Sequence, residues 1–368
     1  MLQIDKILEL VVEKGASDLH LTVGSPPVVR LQGRLRALNT PPLTPEDTMS
    51  LMKSITSDRC QQELAETGGS DFGFSFGDKA RFRVSVLKGK GNVGMVLRQI
   101  SNTLLSLEQI GLPASVKTLL TRPRGMFLVT GPTGSGKSTT LASCVDFINS
   151  ELDSHIITIE DPIEFVHKNK ACLVNQREIG SDTHGFKESL RAVLRQDPDV
   201  VLVGEMRDME TIEAALTLAE TGHLTFGTLH TSDCVQTINR IVDVFPAYQQ
   251  QQIRTVLSFV LQAVFCQQLL PRADGRGRAL AAEIMIANSA VKALIRDDKA
   301  HQIYSIIQTG GKYGMQTMNQ ALFNLVQKRT ISYDDAFERT TDPEDFIRTF
   351  QSAGLNTPGQ KGARRPSR

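Results

Sequence analysis

A glycine-rich segment, GPTGSGKS at residues 131–138, has the spacing of a loop that binds nucleotide phosphates. Its glycines let successive backbone N–H groups point toward one anion, and Lys137 is placed to reach the β- and γ-phosphates. The Ser138 hydroxyl is a candidate ligand for Mg²⁺. The segment therefore predicts that ATP and Mg²⁺ bind through the loop and the residue after it: Gly131, Pro132, Thr133, Gly134, Ser135, Gly136, Lys137, Ser138 and Thr139.

The residues on either side of this segment fit the strand–loop–helix setting that such a loop requires. The apolar run Met126–Thr130 predicts a buried strand before the loop. After the loop, Leu141, Val145, Ile148 and Leu152 share one face of a predicted helix. This setting favours phosphate binding over a glycine-rich turn that binds nothing.

Acidic residues follow two other apolar runs. Ile156–Ile159 is followed by Glu160, with Glu164 a few residues later, and Val200–Val203 is followed closely by Glu205. Because phosphoryl transfer to water needs a bound metal and an oriented water, Glu164 and Glu205 are candidate catalytic residues. Glu205 could hold Mg²⁺ through water, or it could orient the attacking water, and the sequence leaves both roles open.

Histidine and arginine side chains provide further candidates. His230 follows an apolar run and is expected at the end of a strand, where it either senses the nucleotide or has a structural role. Arg81 and Arg83 share a face of a predicted strand, and Arg98 lies near the end of another. Arginine suits contacts with phosphate, so these three could act on a nucleotide held by a neighbouring subunit. From the residues alone, an exposed strand face with salt bridges is the simpler interpretation.

Charge and composition argue against several other classes of protein. The 368 residues carry a net charge of +1 and no tryptophan, so neither an overall basic field nor an aromatic-rich surface predicts nucleic-acid binding. No apolar run is long enough for a transmembrane helix, and the first residues resemble an amphipathic helix rather than a signal peptide. We therefore expect a cytoplasmic protein. The five cysteines form no CxxC pair, so buried thiols are expected rather than a zinc site or disulfides.

The order of strand-like and helix-like segments predicts an α/β fold with two domains. Closely spaced strands in residues 1–100 favour an antiparallel sheet, and residues 101–120 are interpreted as a linker and a short helix. Alternating apolar runs and helical periods from residue 121 predict a parallel sheet, which precedes a mostly helical part to residue 350. Within that part we expect a hairpin or loop at 272–278 and a last strand at 279–285. Residues 351–368 are interpreted as a disordered tail.

Several segments together resemble the secretion ATPases of type II and type IV systems, and within them the branch that retracts type IV pili. The resemblance covers about residues 1–350. It is carried by the phosphate-binding segment, which corresponds to the family's Walker A motif, and by four further motifs: GASDLHLTVGSPPVVRLQG from Gly15, TIEDPIEF from Thr158, VLVGEMRDMETIEAALTLAETGH from Val201 and TLHTSDCVQTINRIVDVFP from Thr228.

The resemblance implies a PAS-like N-terminal domain and a RecA-like P-loop NTPase domain with a helical C-terminal part, assembled as a homohexamer. It implies that Glu164 is the catalytic glutamate, that Glu205 is the Walker B acid and that His230 senses the nucleotide. Glu160, at the end of the predicted strand Ile156–Ile159, is a further candidate contact for the nucleotide. It makes Arg81, Arg83 and Arg98 candidate phosphate contacts. The implied partners are a platform protein of the pilus machine at the inner membrane and a paralogous retraction ATPase.

Three alternatives to a main retraction motor remain at this point. The segment Ala290–Asp297 keeps only part of an element typical of retraction motors, which leaves an accessory retraction ATPase open. Pilus-extension and type II secretion ATPases usually carry a large extra N-terminal domain and a four-cysteine zinc loop, and neither pattern is present in this sequence. A nucleic-acid translocase would share the ATPase fold, but it would need a basic, aromatic-lined groove.

Overall fold

The computed structural model describes residues 3–31, 33–100 and 104–354. Most of the predicted tail, and the first residues of the predicted linker, lie outside the described residues. The chain divides into two compact units. The first comprises Met1–Leu104 with Glu160–Lys168 and Gln176–Asp182, and the second comprises Leu105–Ile159, Asn169–Asn175 and Thr183–Arg368. The first unit thus includes two segments from much later in the chain. The predicted boundaries at residues 100 and 121 stay predictions.

The first unit is built on an antiparallel sheet that packs with helices from the same part of the chain. The sheet has the order β3-β2-β1-β6-β5-β4. The neighbouring strands of this sheet pair antiparallel, as the close spacing of the strands predicted. Its elements are α1 (Ile4–Glu13), β1 (Asp18–Leu21), β2 (Val28–Leu31), β3 (Arg34–Ala37), α2 (Pro45–Ile55), α3 (Asp58–Thr67), β4 (Gly69–Phe76), β5 (Ala80–Gly89) and β6 (Asn92–Ile100).

Local sequence signals explain the start of α2 and the buried face of α1. The Thr44 side chain accepts a hydrogen bond from Asp47 N, and the Asp47 carboxylate accepts one from Thr44 N, which forms a capping box at the start of α2. The α1 residues Ile7, Leu8 and Val11 are buried, so the predicted amphipathic helix is confirmed.

The later part of the chain, from residue 105, contains a seven-stranded sheet and the remaining helices. The elements up to the end of the sheet are α4 (Leu107–Ile110), α5 (Ser115–Leu120), β7 (Gly125–Thr130), α6 (Lys137–Glu151), β8 (His155–Glu160), β9 (Leu173–Glu178), α7 (Phe186–Val193), β10 (Val200–Val203), α8 (Met209–Glu220), β11 (Leu224–Leu229), α9 (Cys234–Asp243), α10 (Ala247–Val260), β12 (Leu261–Pro271) and β13 (Arg278–Ile286). The helices after the sheet are α11 (Ser289–Arg296), α12 (Ile303–Thr309), α13 (Met318–Gln327), α14 (Tyr333–Arg339) and α15 (Pro343–Ser352).

The strand order of this sheet is β13-β12-β7-β11-β10-β8-β9. The five strands from β12 to β8 run parallel to one another, and β13 pairs antiparallel with β12. All six residues of β7, all four of β10 and all six of β11 are buried. Strands buried on both faces read as continuous apolar runs, which explains why the sequence indicated them clearly. The mixed α/β class is confirmed.

Two strands of the seven-stranded sheet were not predicted. Residues from 235 onward were expected to be mostly helical, but α10 passes directly into the eleven-residue strand β12. The expectation was wrong there because no glycine or proline separates the helix from the strand, and a continuous apolar run does not distinguish the two. The strand β9 was missed because its sequence, LVNQRE, is largely polar. The strand predicted at 279–285 is confirmed as β13.

The core of the second unit contains an aromatic cluster on three neighbouring strands. The Phe127 ring lies 5.5 Å from that of Phe226 and 4.7 Å from that of Phe265, between ring centroids, and the second contact is edge-to-face. All three side chains are fully buried. A separate apolar cluster joins the ends of β12 and β13 to helices α13–α15.

Among the described residues, the helices are too short and too polar to cross a bilayer. The longest of them, α6, has 15 residues, whereas a span needs about 20.

We expect Phe127→Ala to lower the free energy of unfolding by about 3–5 kcal/mol, because it leaves a cavity between three strands. Denaturant unfolding followed by circular dichroism measures the change, since the chain has no tryptophan for fluorescence. Phe259→Ala is the matched control, because the Phe259 side chain is 67% exposed. A loss in Phe127→Ala no larger than in this control would contradict the assigned core.

Candidate functional site

Three parallel strands of the second unit end at the same edge of the sheet. Strand β7 ends at Thr130, β10 at Val203 and β11 at Leu229. Phosphate-loop residues follow the first strand, Glu205 follows the second and His230 follows the third. In open α/β sheets, ligands bind at the carboxyl ends of the strands, so this edge is the candidate site.

The phosphate loop connects β7 to α6, and its first glycine allows a close backbone approach. Gly131 has φ 139°, in a region that other residues avoid. A Cβ at this position would collide with the carbonyl oxygen of Gln267 and would lie 2.7 Å from Ser135 Oγ. The last glycine, Gly136, has φ 92° and precedes the first helical residue, Lys137. The positive φ angles at both positions, and the close contacts at Gly131, explain why glycine is required at each.

The loop has the features of an anion-binding site. The Lys137 ammonium group donates hydrogen bonds to the carbonyl oxygens of Gly131 at 2.8 Å and Pro132 at 3.1 Å. The Ser135 side chain is buried, and its Oγ has no hydrogen-bond partner among the described residues. A buried hydroxyl group without a partner is costly, and a bound phosphate oxygen would satisfy it. The loop residues therefore fit a nucleotide.

The residues available for Mg²⁺ are oxygen donors, as this hard cation prefers. Ser138 is exposed near the start of α6, and Glu205 is a half-buried carboxylate at the end of β10. Thr140, two residues after Ser138, is buried and hydrogen-bonds to the Gln267 side chain, so it is a structural residue. The donor set fits Mg²⁺, with Ser138 and Glu205 as the candidate residues.

Glu205 is held by two neighbouring basic side chains. Arg207 Nε donates to Oε1 of Glu205 at 2.5 Å, and Arg207 Nη2 donates to Oε2 at 2.6 Å. His230 Nε2 lies 3.0 Å from the same Oε1. Burial by itself would raise the pKa of Glu205. The hydrogen bond and charge of Arg207, together with His230 and Lys137, lower this pKa below its ordinary value. Glu205 is therefore ionised at neutral pH.

A cavity of about 540 Å³ opens beside these residues within the second unit. It is lined by Thr133 of the phosphate loop, by the last residue of β11, and by residues that follow β10 and β11 or belong to α9: Leu229, Glu205, Met206, Arg207, His230, Thr231 and Arg240. The structure thus brings together Thr133, Glu205 and His230, three of the residues that the sequence singled out.

The remaining predicted acids belong to segments of the first unit. Glu160 ends β8, and its Oε1 accepts a hydrogen bond from Gln176 Nε2 at 3.1 Å. Glu164 is half-buried and lies in the Glu160–Lys168 segment. The roles assigned to both acids stay predictions.

Arg81 holds the segment that contains Glu164. Its Nε donates to the Ile163 carbonyl oxygen at 2.7 Å, and its Nη2 forms a salt bridge of 2.8 Å with Glu178. Glu178 also accepts hydrogen bonds from the backbone N–H groups of Gly73 and Ile163. These contacts lie within the first unit, so in this structure Arg81 joins the N-terminal sheet to two later segments of the chain. Its predicted contact with phosphate stays a prediction.

The other two arginines lie opposite each other on neighbouring strands. Arg83 on β5 and Arg98 on β6 are register partners, and the Arg83 side chain is exposed. Arg98 Nε donates to Asp18 Oδ1 at 2.9 Å, while 70% of its side chain remains exposed. Two exposed arginines on one face are compatible with the predicted phosphate contact, which also stays a prediction.

Arg207 and Glu178 were not predicted as site residues from the sequence. Arg207 lies two residues after Glu205 in the connection between β10 and α8, so an oppositely charged neighbour in the chain was the one available signal. No such signal existed for Glu178, because its partners lie up to 105 residues away in the chain. Long-range partners of this kind are set by the fold.

All five cysteines are buried and free, as predicted. Cys234, Cys266 and Glu283 form a buried cluster whose ligand atoms lie within 4.8 Å of one another. Their polar atoms already have partners. Glu283 accepts from Cys234 N at 2.8 Å, and Cys266 Sγ lies 2.8 Å from Thr130 Oγ1. The hydrogen bonding of the cluster therefore does not call for a metal ion.

Comparison with known proteins agrees with the motifs. The family model described as Type II/IV secretion system protein matches residues 1–337. The chain belongs to this family. A relative from Pseudomonas aeruginosa, the "Type IV pilus retractation ATPase PilT", is 49% identical over 345 residues, which cover 94% of this chain and 100% of the relative. The "Type IV pilus ATPase PilU" of the same organism is 39% identical over 345 residues, covering 94% of this chain and 90% of that protein.

Among solved structures, a crystal structure of the pilus retraction motor PilT with bound ADP has a TM-score of 0.88 and 50% sequence identity. The match covers 95% of this chain and 100% of that chain. The membership in the secretion ATPase family that the motifs predicted is thus confirmed. The greater identity to PilT than to PilU favours the retraction branch over the accessory one.

We expect Glu178→Ala to destabilise the first unit by on the order of 3 kcal/mol, because it leaves the largely buried Arg81 charge without its carboxylate partner. Hydrogen exchange of residues 160–168 should increase most, since Arg81 and Glu178 hold this segment. The matched control is Glu66→Ala, which removes an exposed glutamate that accepts a hydrogen bond from Gln62 on the same helix. Equal exchange in the two variants would show that the Arg81–Glu178 pair does not hold the segment.

Proposed function

We propose that this chain is an ATP-hydrolysing motor that drives the retraction of type IV pili. One observation carries the proposal. A complete phosphate loop lies at the same sheet edge as Glu205, in a chain that matches a pilus-retraction ATPase over that protein's full length at 49% identity. The fold alone would fit many activities, so the assignment rests on this site together with the relatives.

ATP binding is supported by the geometry of the phosphate loop. The Lys137 ammonium group is held beside the loop by two carbonyl oxygens, from which it can turn to the β- and γ-phosphates. The loop N–H groups and the N-terminus of α6 supply partial positive charge, and Ser135 supplies a hydroxyl group. Thr133, which lines the cavity, and Thr139, at the start of α6, are further contact candidates.

Mg²⁺ completes the proposed site, with Ser138 as a ligand and Glu205 holding it through water. When bound, this ion neutralises negative charge that builds up on the phosphates during transfer. Glu205 is well prepared for such a role, because its pKa is lowered and it is therefore ionised at neutral pH.

Activation of water is assigned to Glu164, and sensing of the nucleotide to His230. The first assignment rests on the family motif TIEDPIEF. The second also has support from geometry, because the 3.0 Å contact of His230 with Glu205 couples the end of β11 to the end of β10. A change at the phosphate that moves Glu205 would therefore be transmitted to the segment that starts α9.

Assembly and location follow from the same family argument. We propose that six copies form a ring, and that the ring is held at the inner membrane by a platform protein of the pilus machine. A paralogous retraction ATPase is a further candidate partner. In this arrangement Arg83 and Arg98, whose side chains are exposed, are candidates to contact a nucleotide held by a neighbouring subunit.

The test of the proposed function is ATP hydrolysis by the purified protein, with its mass measured by light scattering with and without nucleotide. We expect Lys137→Ala to lower hydrolysis at least about 100-fold, because it removes the charge that contacts the transferred phosphate. The control Lys328→Ala changes an exposed lysine far along the chain. Activity near that of the wild type in Lys137→Ala would refute the ATPase assignment.

Deletion of the gene in its native host tests the proposed role in pilus retraction. Loss of a retraction motor should leave excess pili that do not retract, whereas loss of an extension ATPase should leave no pili. Complementation with Lys137→Ala should fail to restore retraction.

We expect Glu164→Gln and Glu205→Gln to impair different steps. Glu164→Gln should still bind ATP with Mg²⁺ but should hydrolyse it at least about 100-fold more slowly, as expected for loss of the group that activates water. Glu205→Gln should raise the Mg²⁺ concentration needed for half-maximal activity. Nucleotide affinity by calorimetry and single-turnover rates separate the two effects. If Glu164→Gln raised the Mg²⁺ requirement and Glu205→Gln slowed hydrolysis while leaving binding intact, the two roles would be exchanged.

A further inference from the structure

The contact between Arg207 and Glu205 has the geometry of a strong ion pair. The guanidinium group meets the carboxylate side-on, with its Nε and Nη2 atoms each donating to a different oxygen, at 2.5 and 2.6 Å. Paired charge-assisted hydrogen bonds of this kind fix the orientation of both groups. The carboxylate of Glu205 therefore has one orientation, and Arg207 sets it.

This pairing restricts what else Glu205 can bind. A carboxylate offers about four acceptor positions, two on each oxygen. Two are taken by Arg207, and a third faces His230, whose Nε2 lies 3.0 Å from Oε1. A hydrated cation that uses the same oxygens must compete with the guanidinium group for them.

Arg207 can leave this contact without a change in the secondary structure. Its side chain is 77% exposed, whereas that of Glu205 is 22% exposed. It belongs to the short connection between β10 and α8, so its movement requires no change in a helix or strand. Because most of the guanidinium group faces solvent, water can replace the hydrogen bonds that it gives up when another partner takes its place on Glu205.

We propose that Arg207 is a latch on Glu205: its guanidinium group occupies the oxygens that a hydrated divalent cation needs, and binding of that cation with the nucleotide displaces it. The inference rests on the proposed function of the site. The carboxylate oxygens of Glu205 then become available only when the metal–nucleotide complex binds. Once displaced, the guanidinium group remains beside the same cavity, where its planar donors suit a phosphate group.

The test measures cation binding, which is independent of turnover. Protein saturated with ADP is titrated with Mn²⁺, an EPR-visible substitute for Mg²⁺, and the loss of the free Mn²⁺ signal gives the Kd. The key variant is Arg207→Gln, which cannot form the ion pair. The matched control is Arg240→Gln, since Arg240 lines the same cavity and carries the same charge but, among the described residues, forms no hydrogen bond or ion pair with Glu205.

We expect the Kd for Mn²⁺ to fall about threefold or more in Arg207→Gln, because removing a competing state raises the fraction of competent sites. Arg240→Gln should change it by less than about twofold, since the field of an exposed charge is screened by salt. Arg207→Lys should give an intermediate value, because an ammonium group cannot make the paired contact. An unchanged or higher Kd in Arg207→Gln, or equal shifts in the two glutamine variants, overturns the latch.

The same experiment separates the latch from the function on which it rests. Circular dichroism first establishes that each variant is folded, and Arg207→Lys carries the test if Arg207→Gln does not fold. If wild-type protein fails to bind ADP, the proposed function fails. If ADP binds equally well to all forms and Mn²⁺ affinity does not respond to Arg207, only the latch is wrong.

Discussion

The close approach of the Gly131 backbone to the Gln267 carbonyl group is the constraint on which the candidate site depends. Strand β12 runs beside β7, with Cys266 opposite Thr130, and so places the Gln267 backbone where a side chain of residue 131 would otherwise lie. Only glycine fits there, and the chain can then turn into the phosphate loop. A strand from late in the sequence is thus as necessary to this loop as the motif itself.

The consequences of that packing extend along the loop and into α6. Ser135 is turned inward, where its hydroxyl group is buried, and Lys137 begins the helix with its ammonium group close to the loop carbonyls. The buried Thr140 hydroxyl group bonds to the Gln267 side chain, so one residue of β12 contacts both the start of the loop and the first turns of the helix. The loop is therefore held in shape by packing within the protein, and such preorganisation lowers the entropy that binding would otherwise cost.

Much of this architecture could be predicted from the sequence, because it depends on local patterns. The buried run Val200–Val203, the capping residue Thr44 and the glycines of the loop each carry their own signal. Strand β12 had no such local signal, because α10 passes into it through an apolar run that contains no glycine or proline. The orientation of Arg207 and the contacts of Glu178 also could not be predicted, because they depend on side-chain packing and on partners distant in the chain.

The burial of all five cysteines has a practical consequence for studying motion in this protein. Thiol-directed dyes react with exposed thiolates, and burial raises the pKa of Cys144 to about 12, far from the reactive range. A single cysteine introduced on the surface, for example at the exposed position Tyr248, should therefore carry almost all of the label on the native background. The fold itself thus provides the difference in thiol reactivity that is needed to attach one fluorophore per chain.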